Sequence, residues 1–276
     1  MTVASLPVVD DRRGGVLRDT WVVARRGLLH VRRQPEALID VTLQPVMFVL
    51  LFAYVFSGAI TVRGGGYREF LMGGIFAQTI VFGAFGVAIG LAHDRANGAI
   101  DRFRALPMAR GSVLAGHAAA SMLRAVLPIV LMTGAGLVVG WRIHHGVADV
   151  AAAYGLMLVF SFAIIWVGVL LGSLLPSPEA VQGVAFTAIF PITFVATTFV
   201  PLQTLPGVLR TFAEWNPVST VSEALRRLFG NPSAPGGVGS AWSMQHPLLY
   251  SLIWTVGIVA VCAPLAVRAY NRTISD

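Results

Sequence analysis

Between two long, nearly uncharged stretches, residues 93–111 read HDRANGAIDRFRALPMARG, with four arginines and two aspartates in nineteen positions. Chemistry would be sought there first, and few kinds are available. Ion-coupled carriage uses acids buried near the middle of membrane spans. The acids nearest the apolar stretches are Asp40, Glu69, Asp94, Asp149 and Glu179, and all stand at their ends. A phosphate-cradling GxxxxGK[ST] loop needs a lysine, yet all twenty basic residues are arginine. ATP hydrolysis, if it drives anything here, is therefore expected on a separate polypeptide. His144 and His145 are adjacent, so they do not share a helix face, and no cysteine is near them; no metal site is expected. Six scattered histidines give no readable nucleophile–base set. The chain reads as no enzyme, with no catalytic residue to name.

What must position the charged island is a membrane domain. The 276 residues are 56% hydrophobic and only 12% charged, with a mean hydropathy of +0.74, too apolar for a soluble domain. Apolar windows of span length run over Leu38–Ile60, Phe70–Leu91, Ser112–Gly140, Val150–Leu175, Val181–Val200 and Pro247–Val267. The fold class expected is all-α, polytopic, with six transmembrane helices over 38–267, a 1–37 N-terminal part and a 268–276 tail. Ser112–Gly140 is longer than a span needs, so its first turns are expected in the cytoplasm. Cys262 lies alone in the last span and forms no intrachain disulfide. No signal cleavage is expected, because no small-residue site follows the first apolar stretch.

Counting loops alternately puts thirteen arginines on one side and six on the other, with Arg124 inside a span. The positive-inside rule then predicts both termini and the island in the cytoplasm. Arg124 is expected to snorkel to the interface. The net charge of +7 points to membrane lipid, not nucleic acid. Arginine at every basic position, with much Ala, Gly and Val, suggests a bacterial plasma membrane from a high-GC genome.

Leu17, Trp21, Ala24, Leu28 and Val31 line one helix face, with Arg18, Arg25, Arg26, Arg32 and Arg33 beside it and Pro35 ending it. This predicts an amphipathic interface helix. In the island, Ala99, Ile100, Phe103 and Leu106 make a second short apolar face closed by Pro107. Periodicity alone leaves two readings, a solvated loop and a helix presenting its polar face to a partner. Residues 204–230 suggest two short extracellular, re-entrant helices broken at Asn216-Pro217. The second has Thr220 and Glu223 at capping-box spacing and a stripe of Val221, Ala224, Leu225 and Leu228. That stripe is expected either to dip into the outer leaflet or to cap the bundle, and GNPSAPGGVGS to act as a flexible link. Gly86/Gly90, Gly136/Gly140 and Gly168/Gly172 are expected packing ledges. Trp141, Trp166, Trp242 and Trp254 are expected as interfacial anchors or packing.

The run GLAHDRANGAIDRFRALPMARGSVLAGH resembles the segment between spans two and three of ABC-2 type transporter permeases, in particular daunorubicin-resistance-type drug exporters. QPVMFVLLFAYVFSGAI, EAVQGVAFTAIFPITFVATTFVP and TLPGVLRTFAEWNPVSTVSEALRRLFG resemble the same family, so the resemblance covers nearly the whole chain. It implies that residues 94–110 form a coupling helix seated on the ATP-binding subunit. Carried over, Asp94, Gly98, Asp101, Arg102, Phe103, Arg104, Leu106 and Pro107 would make that contact. Phe103 and Leu106 suit an apolar groove, the charges suit pairing, and Gly98 suits a tight entry. The family often has a basic residue at His117 and an acid shortly after, where this chain reads AAAS.

The resemblance implies two permease subunits, identical or paralogous, over two ATP-binding subunits that hold ATP and Mg. The cargo implied is a hydrophobic or amphipathic drug, antibiotic or lipid, taken from the cytoplasm or inner leaflet. Gln44, Gln78, Thr79, Thr187 and Thr197 are the candidate polar contacts along its path, although membrane hydroxyls commonly bond their own helix backbone. The rival readings are an ion-coupled carrier or channel, and a non-exporting sensor or assembly subunit.

Overall fold

A computed structural model describes residues 43, 45–58, 66–96, 110–233 and 241–273, with backbone only at 96, 110–120 and 270–273. Among them there is no strand. The long helices are α1 (Pro45–Phe56), whose last turn Phe52–Phe56 is π-helical, α2 (Tyr67–Ala96), α3 (Arg110–Val139) and α4 (Val147–Leu174). After these come α5 (Pro178–Phe194), two short helices α6 (Gly207–Trp215) and α7 (Pro217–Phe229), and α8 (Pro247–Thr273).

Cross-contacts fix the direction of each. A Cβ added at Gly168 would lie 2.5 Å from Ala84 O, and one at Gly172 2.7 Å from Ala88 O. So α2 and α4 run parallel with their backbones touching, the close approach that small residues allow in membranes. Arg68, in the first turn of α2, donates to Val139 O at the end of α3 (3.0 Å) and to Ala53 O near the end of α1 (3.4 Å). Tyr67 donates to Phe199 O just past α5 (3.1 Å), and Tyr250 in α8 donates to Trp215 O (3.0 Å). The six long helices therefore alternate in direction, and α6 and α7 sit at the end where α2 and α8 begin.

Four of these helices are long and apolar enough to cross a membrane: Tyr67–Arg95, Ser121–Val139, Val147–Leu174 and Pro247–Ala269. They fall on the expected second, third, fourth and sixth spans. The last helix continues beyond Val267 into the expected tail. In the first expected span the described helix is the shorter Pro45–Phe56.

The fifth differs more. Ser177 caps α5, its hydroxyl accepting from Ala180 N–H (3.2 Å) ahead of Pro178 and Glu179, a favourable helix start. The helix then stops at Phe194, so 195–200 are not part of one continuous span. The reason lies in α7. Asn216 Nδ2 donates to Ile192 O (2.7 Å), Thr197 N–H donates to Ser219 Oγ (3.0 Å), and Arg226 donates to Thr197 O (2.6 Å). Backbone groups that leave the ladder are thereby satisfied, the condition for irregular backbone in an apolar setting.

Other expectations are sharpened. Asn216, not Thr220, caps α7: its Oδ1 accepts from Val218 N–H (2.9 Å), while the Thr220 hydroxyl donates back to Pro217 O (2.9 Å). The Thr220–Glu223 capping box is thus replaced by an Asn216-Pro217 start. Gly86 and Gly90 have nothing within 4 Å of an added Cβ and form no ledge among the described residues; Gly136 meets Met72, and Gly140 serves a turn at φ 103°. Trp141 is fully buried, donating to Asn231 Oδ1 (2.6 Å), and is no interfacial anchor.

Candidate functional site

Two places on this scaffold concentrate polar side chains, one at each end of the bundle. Of the residues expected to contact an ATP-binding subunit, Asp94 stands in the last turn of α2. Gly98, Asp101, Arg102, Phe103, Arg104, Leu106 and Pro107 lie outside the described residues, as do Trp21, Arg25, Arg26 and the 1–37 helix. Arg95, beside Asp94, donates to Gly172 O (3.3 Å), Ser173 O (2.8 Å) and Leu175 O (3.2 Å). These are carbonyls at the C-terminal end of α4, where a cation also meets the negative end of the helix dipole. Leu175 already belongs to the turn into α5. On that turn the Glu179 carboxyl is held below the usual range, first by its own backbone N–H and then by the Ser177 hydroxyl. The end of α2 therefore grips both the end of α4 and the turn that starts α5.

At the opposite end, α7 is inserted into the bundle. It packs against α2, α4 and α8, and of its polar side chains Ser219, Thr220, Ser222, Glu223 and Arg226 are buried. Arg226 is 0% exposed. Its Nε donates to Phe70 O (2.7 Å), Nη2 to Thr197 O (2.6 Å), and Nη1 faces Glu223 Oε2 at 3.8 Å. The guanidinium lies over the Phe70 ring, 3.7 Å from its centroid. Gly73 makes room for it, since a Cβ there would sit 2.7 Å from Arg226 Cγ. Burial pushes Arg226 down to about 10, with Glu223 opposing the shift; it is still a cation at neutral pH. Arg227 shares Glu223 (Nε–Oε1 3.2 Å) and donates to Met244 O (2.7 Å). The end of α7 is closed by Gly230 in the left-handed region (φ 71°), with Asn231 N–H donating to Arg226 O (2.8 Å). Glu69 and His144 pair beside it (2.8 Å).

Of the candidate pathway residues, Gln44 is outside the described residues. Gln78 is buried, and neither its amide O nor N has a partner among the described residues; the Thr197 hydroxyl is in the same condition. Thr187 spends its hydroxyl on Gly183 O (2.8 Å) and Thr79 is half-buried. The structure does not gather these into one site: Thr197 belongs to the Arg226 cluster, Gln78 and Thr79 to α2, Thr187 to α5. A seam of touching rings, Phe52–Phe199 (4.0 Å between centroids), Phe199–Phe194 (5.5 Å), Phe194–Phe190 (4.2 Å) and Phe190–Phe82 (6.2 Å), runs from α1 down the α5–α2 edge. Among the described residues no group of three metal-ligating side chains occurs. Arg124 is exposed and donates to Ser121 Oγ (3.1 Å).

Sequence reading missed Arg95 and Arg226 as fasteners. The signal for Arg226 was present, because it shares a helix face with Ser222 and Phe229 at i−4 and i+3. A charge on an otherwise buried face is costly unless paired.

The family model described as ABC-2 type transporter matches residues 18–229. The daunorubicin resistance ABC transporter permease protein DrrB1 of Streptomyces coeruleorubidus is 31% identical over 247 residues, 90% of this chain and 84% of that protein. The probable doxorubicin resistance ABC transporter permease protein DrrC of Mycobacterium tuberculosis is 26% identical over 257 residues, 92% and 88% of the two chains. A putative transport permease, ycf38, of Cyanophora paradoxa is 25% identical over 221 residues, 79% and 76%.

Proposed function

Since the chain belongs to the ABC-2 type transporter family, as the membrane subunit of an ABC exporter, we propose that it moves hydrophobic or amphipathic compounds, of drug, antibiotic or lipid type, out of the cytoplasm or inner leaflet. The observation that carries this is the 31% identity over 90% of the chain to a daunorubicin resistance permease. The ring seam along α5 and α2 supports an apolar cargo. ATP and Mg reside on a separate ATP-binding subunit, in keeping with a chain that has no lysine for a phosphate loop. Two such subunits work beneath two permeases, identical or paralogous.

The chain crosses the plasma membrane six times, with both termini and the Arg95 end in the cytoplasm and α6 and α7 outside. Residues 94–110 seat on the ATP-binding subunit, and Trp21, Arg25 and Arg26 belong to a helix lying in the cytoplasmic interface. When the ATP-binding subunits close, the stem of α2 is pushed, and Arg95 carries the end of α4 and the start of α5 with it. The opposite end of α5 is fixed through Thr197 to Arg226. One end moves and the other pivots, so the difference in ATPase affinity for the two arrangements is turned into a tilt of the helices around the cargo.

Co-purification of the chain with its ATP-binding subunit tests this, comparing wild type with Phe103→Ala and Arg102→Glu. Loss of association or of stimulated ATP hydrolysis in the variants is expected, along with ATP-dependent export of doxorubicin by wild type in vesicles. Full association and stimulation in both variants, or export that follows an ion gradient without ATP, would overturn it.

A further inference from the structure

The cluster around Arg226 holds more hydrogen-bonding capacity than its contacts use. Of the guanidinium, Nε and Nη2 donate to Phe70 O and Thr197 O. Nη1 has no hydrogen-bond partner among the described residues, and neither has the Thr197 hydroxyl. Arg226 is 0% exposed and Thr197 2%, so bulk water does not reach either group. A buried N–H of a cation left unpaired costs more than an ordinary lost hydrogen bond.

The neighbouring hydroxyls are already engaged. Ser222 donates to Val218 O (2.7 Å), Thr193 to Ile189 O (2.9 Å) and Thr198 to Thr193 O (3.4 Å), while Ser219 Oγ accepts from Thr197 N–H (3.0 Å). Glu223 comes nearer, but its Oε2 stands 3.8 Å from Nη1, too far for a direct hydrogen bond. Its other oxygen is taken by Arg227 Nε (3.2 Å).

The chemistry of the two sides says what fits between them. A guanidinium only donates and an ionised carboxylate only accepts, so a group joining Nη1 to Oε2 must do both. A halide would accept from Arg226 and be repelled by Glu223; a metal cation would meet the reverse. Water does both, and two hydrogen bonds of about 2.8 Å reach across 3.8 Å with the oxygen set off the line. Its third bond can run to a hydroxyl in either sense, and Thr197 brings one to the residue whose carbonyl Nη2 already holds. We propose that one ordered water sits there, accepting from Arg226 Nη1, donating to Glu223 Oε2 and hydrogen-bonded to Thr197 Oγ1. Three polar partners are what a buried water ordinarily holds.

Arg226, Glu223 and Thr197 then form one closed network, and the segment after α5 is tied to α7 by a side chain as well as by its main chain. The Thr197 hydroxyl is spent on that fastening and not on cargo. The site is a property of the fold and does not depend on what the chain exports.

The test uses the full chain in detergent and has two readouts. Thr197→Val keeps the shape of the side chain and removes the hydroxyl, whereas Thr197→Ser keeps the hydroxyl. Thermal unfolding of Thr197→Val is expected a few degrees below wild type, with Thr197→Ser losing less, because the water loses a partner. In wild type, radicals generated from water by X-rays should hydroxylate Phe70, which is 0% exposed and lies against the guanidinium, several-fold faster than the equally buried Phe160. A bound water is the radical source that reaches such a ring. Thr197→Val as stable as wild type, or no less stable than Thr197→Ser, would overturn the proposal, since a hydroxyl without a partner is exchanged for methyl without loss. Phe70 labelled no faster than Phe160 would overturn it as well, whatever the stability of the variants.

Discussion

Arg226 and Arg95 form the same kind of bond in opposite surroundings. Each guanidinium reaches across to main-chain carbonyls of other segments, but Arg226 is wholly enclosed, stacked on Phe70 and opposed by Glu223. Arg95 sits at the rim, half-buried, on three carbonyls at the end of α4. An enclosed cation with its partners can be released only by exposing an unpaired charge to a nonpolar interior. A rim cation can exchange a carbonyl for water at little cost. On the mechanism proposed, the α7 end stays and the Arg95 end moves.

Breaking the fixed end should have the largest effect. Arg226→Met leaves Glu223 buried with Arg227 alone and strips Thr197 O and Phe70 O of their donor. A loss of about 3–5 kcal/mol is expected, read as a collapse of thermal stability in detergent. Trp141→Phe removes the donor to Asn231 in the same region while keeping most ring contact with Phe76 and Phe229. About 1–3 kcal/mol should be lost, again by thermal unfolding.

At the moving end the effect should be functional instead. Arg95→Gln is expected to leave stability and ATPase association near wild type while export per ATP hydrolysed falls about tenfold; Arg95→Lys should recover part of it. Equal loss of ATP hydrolysis and export would make Arg95 an ordinary structural residue. The smallest effect is expected between the ends, at Gly86→Ala. That glycine faces open space, and the change should be within about 1 kcal/mol and stabilising if anything. Gly168→Ala, which meets Ala84 O, should be clearly destabilising by the same unfolding measurement.

The long apolar helices were legible because hydropathy over 18 or more residues is a local property. The Asn216-Pro217 break was legible too, since Pro at a first helical position behind Asn is a local signal. What escaped was decided by distant partners. The end of α5 at Phe194 depends on Asn216, Ser219 and Arg226, more than twenty residues on, and nothing in FVATTFVP announces it. Whether Gly168 or Gly86 is a ledge depends on which face another helix approaches. Arginine counting treated Arg226 as one more loop charge, although its place among Ser222 and Phe229 already put it on a buried face. Of the coupling candidates, Asp94 stands in the last turn of α2, and the others lie outside the described residues. The residues named for cargo are scattered, because polar type alone does not say which hydroxyl is already bonded to its own helix, as Thr187 is.

The most direct measurement of a fixed and a moving end is the distance between α5 and α8 at each end of the bundle, by spin-label pairs in the complex with the ATP-binding subunit. With Cys262→Ala and labelled chains diluted among unlabelled ones, one pair is Gln182 and Leu265, toward the Arg95 end. The other is Phe194 and Leu249, toward the α7 end; all four positions are exposed. On ATP binding the Gln182–Leu265 distance should change while Phe194–Leu249 stays within its nucleotide-free distribution, and Arg95→Gln should suppress the change. Equal shifts at both ends, or movement at Phe194–Leu249 alone, would contradict the account.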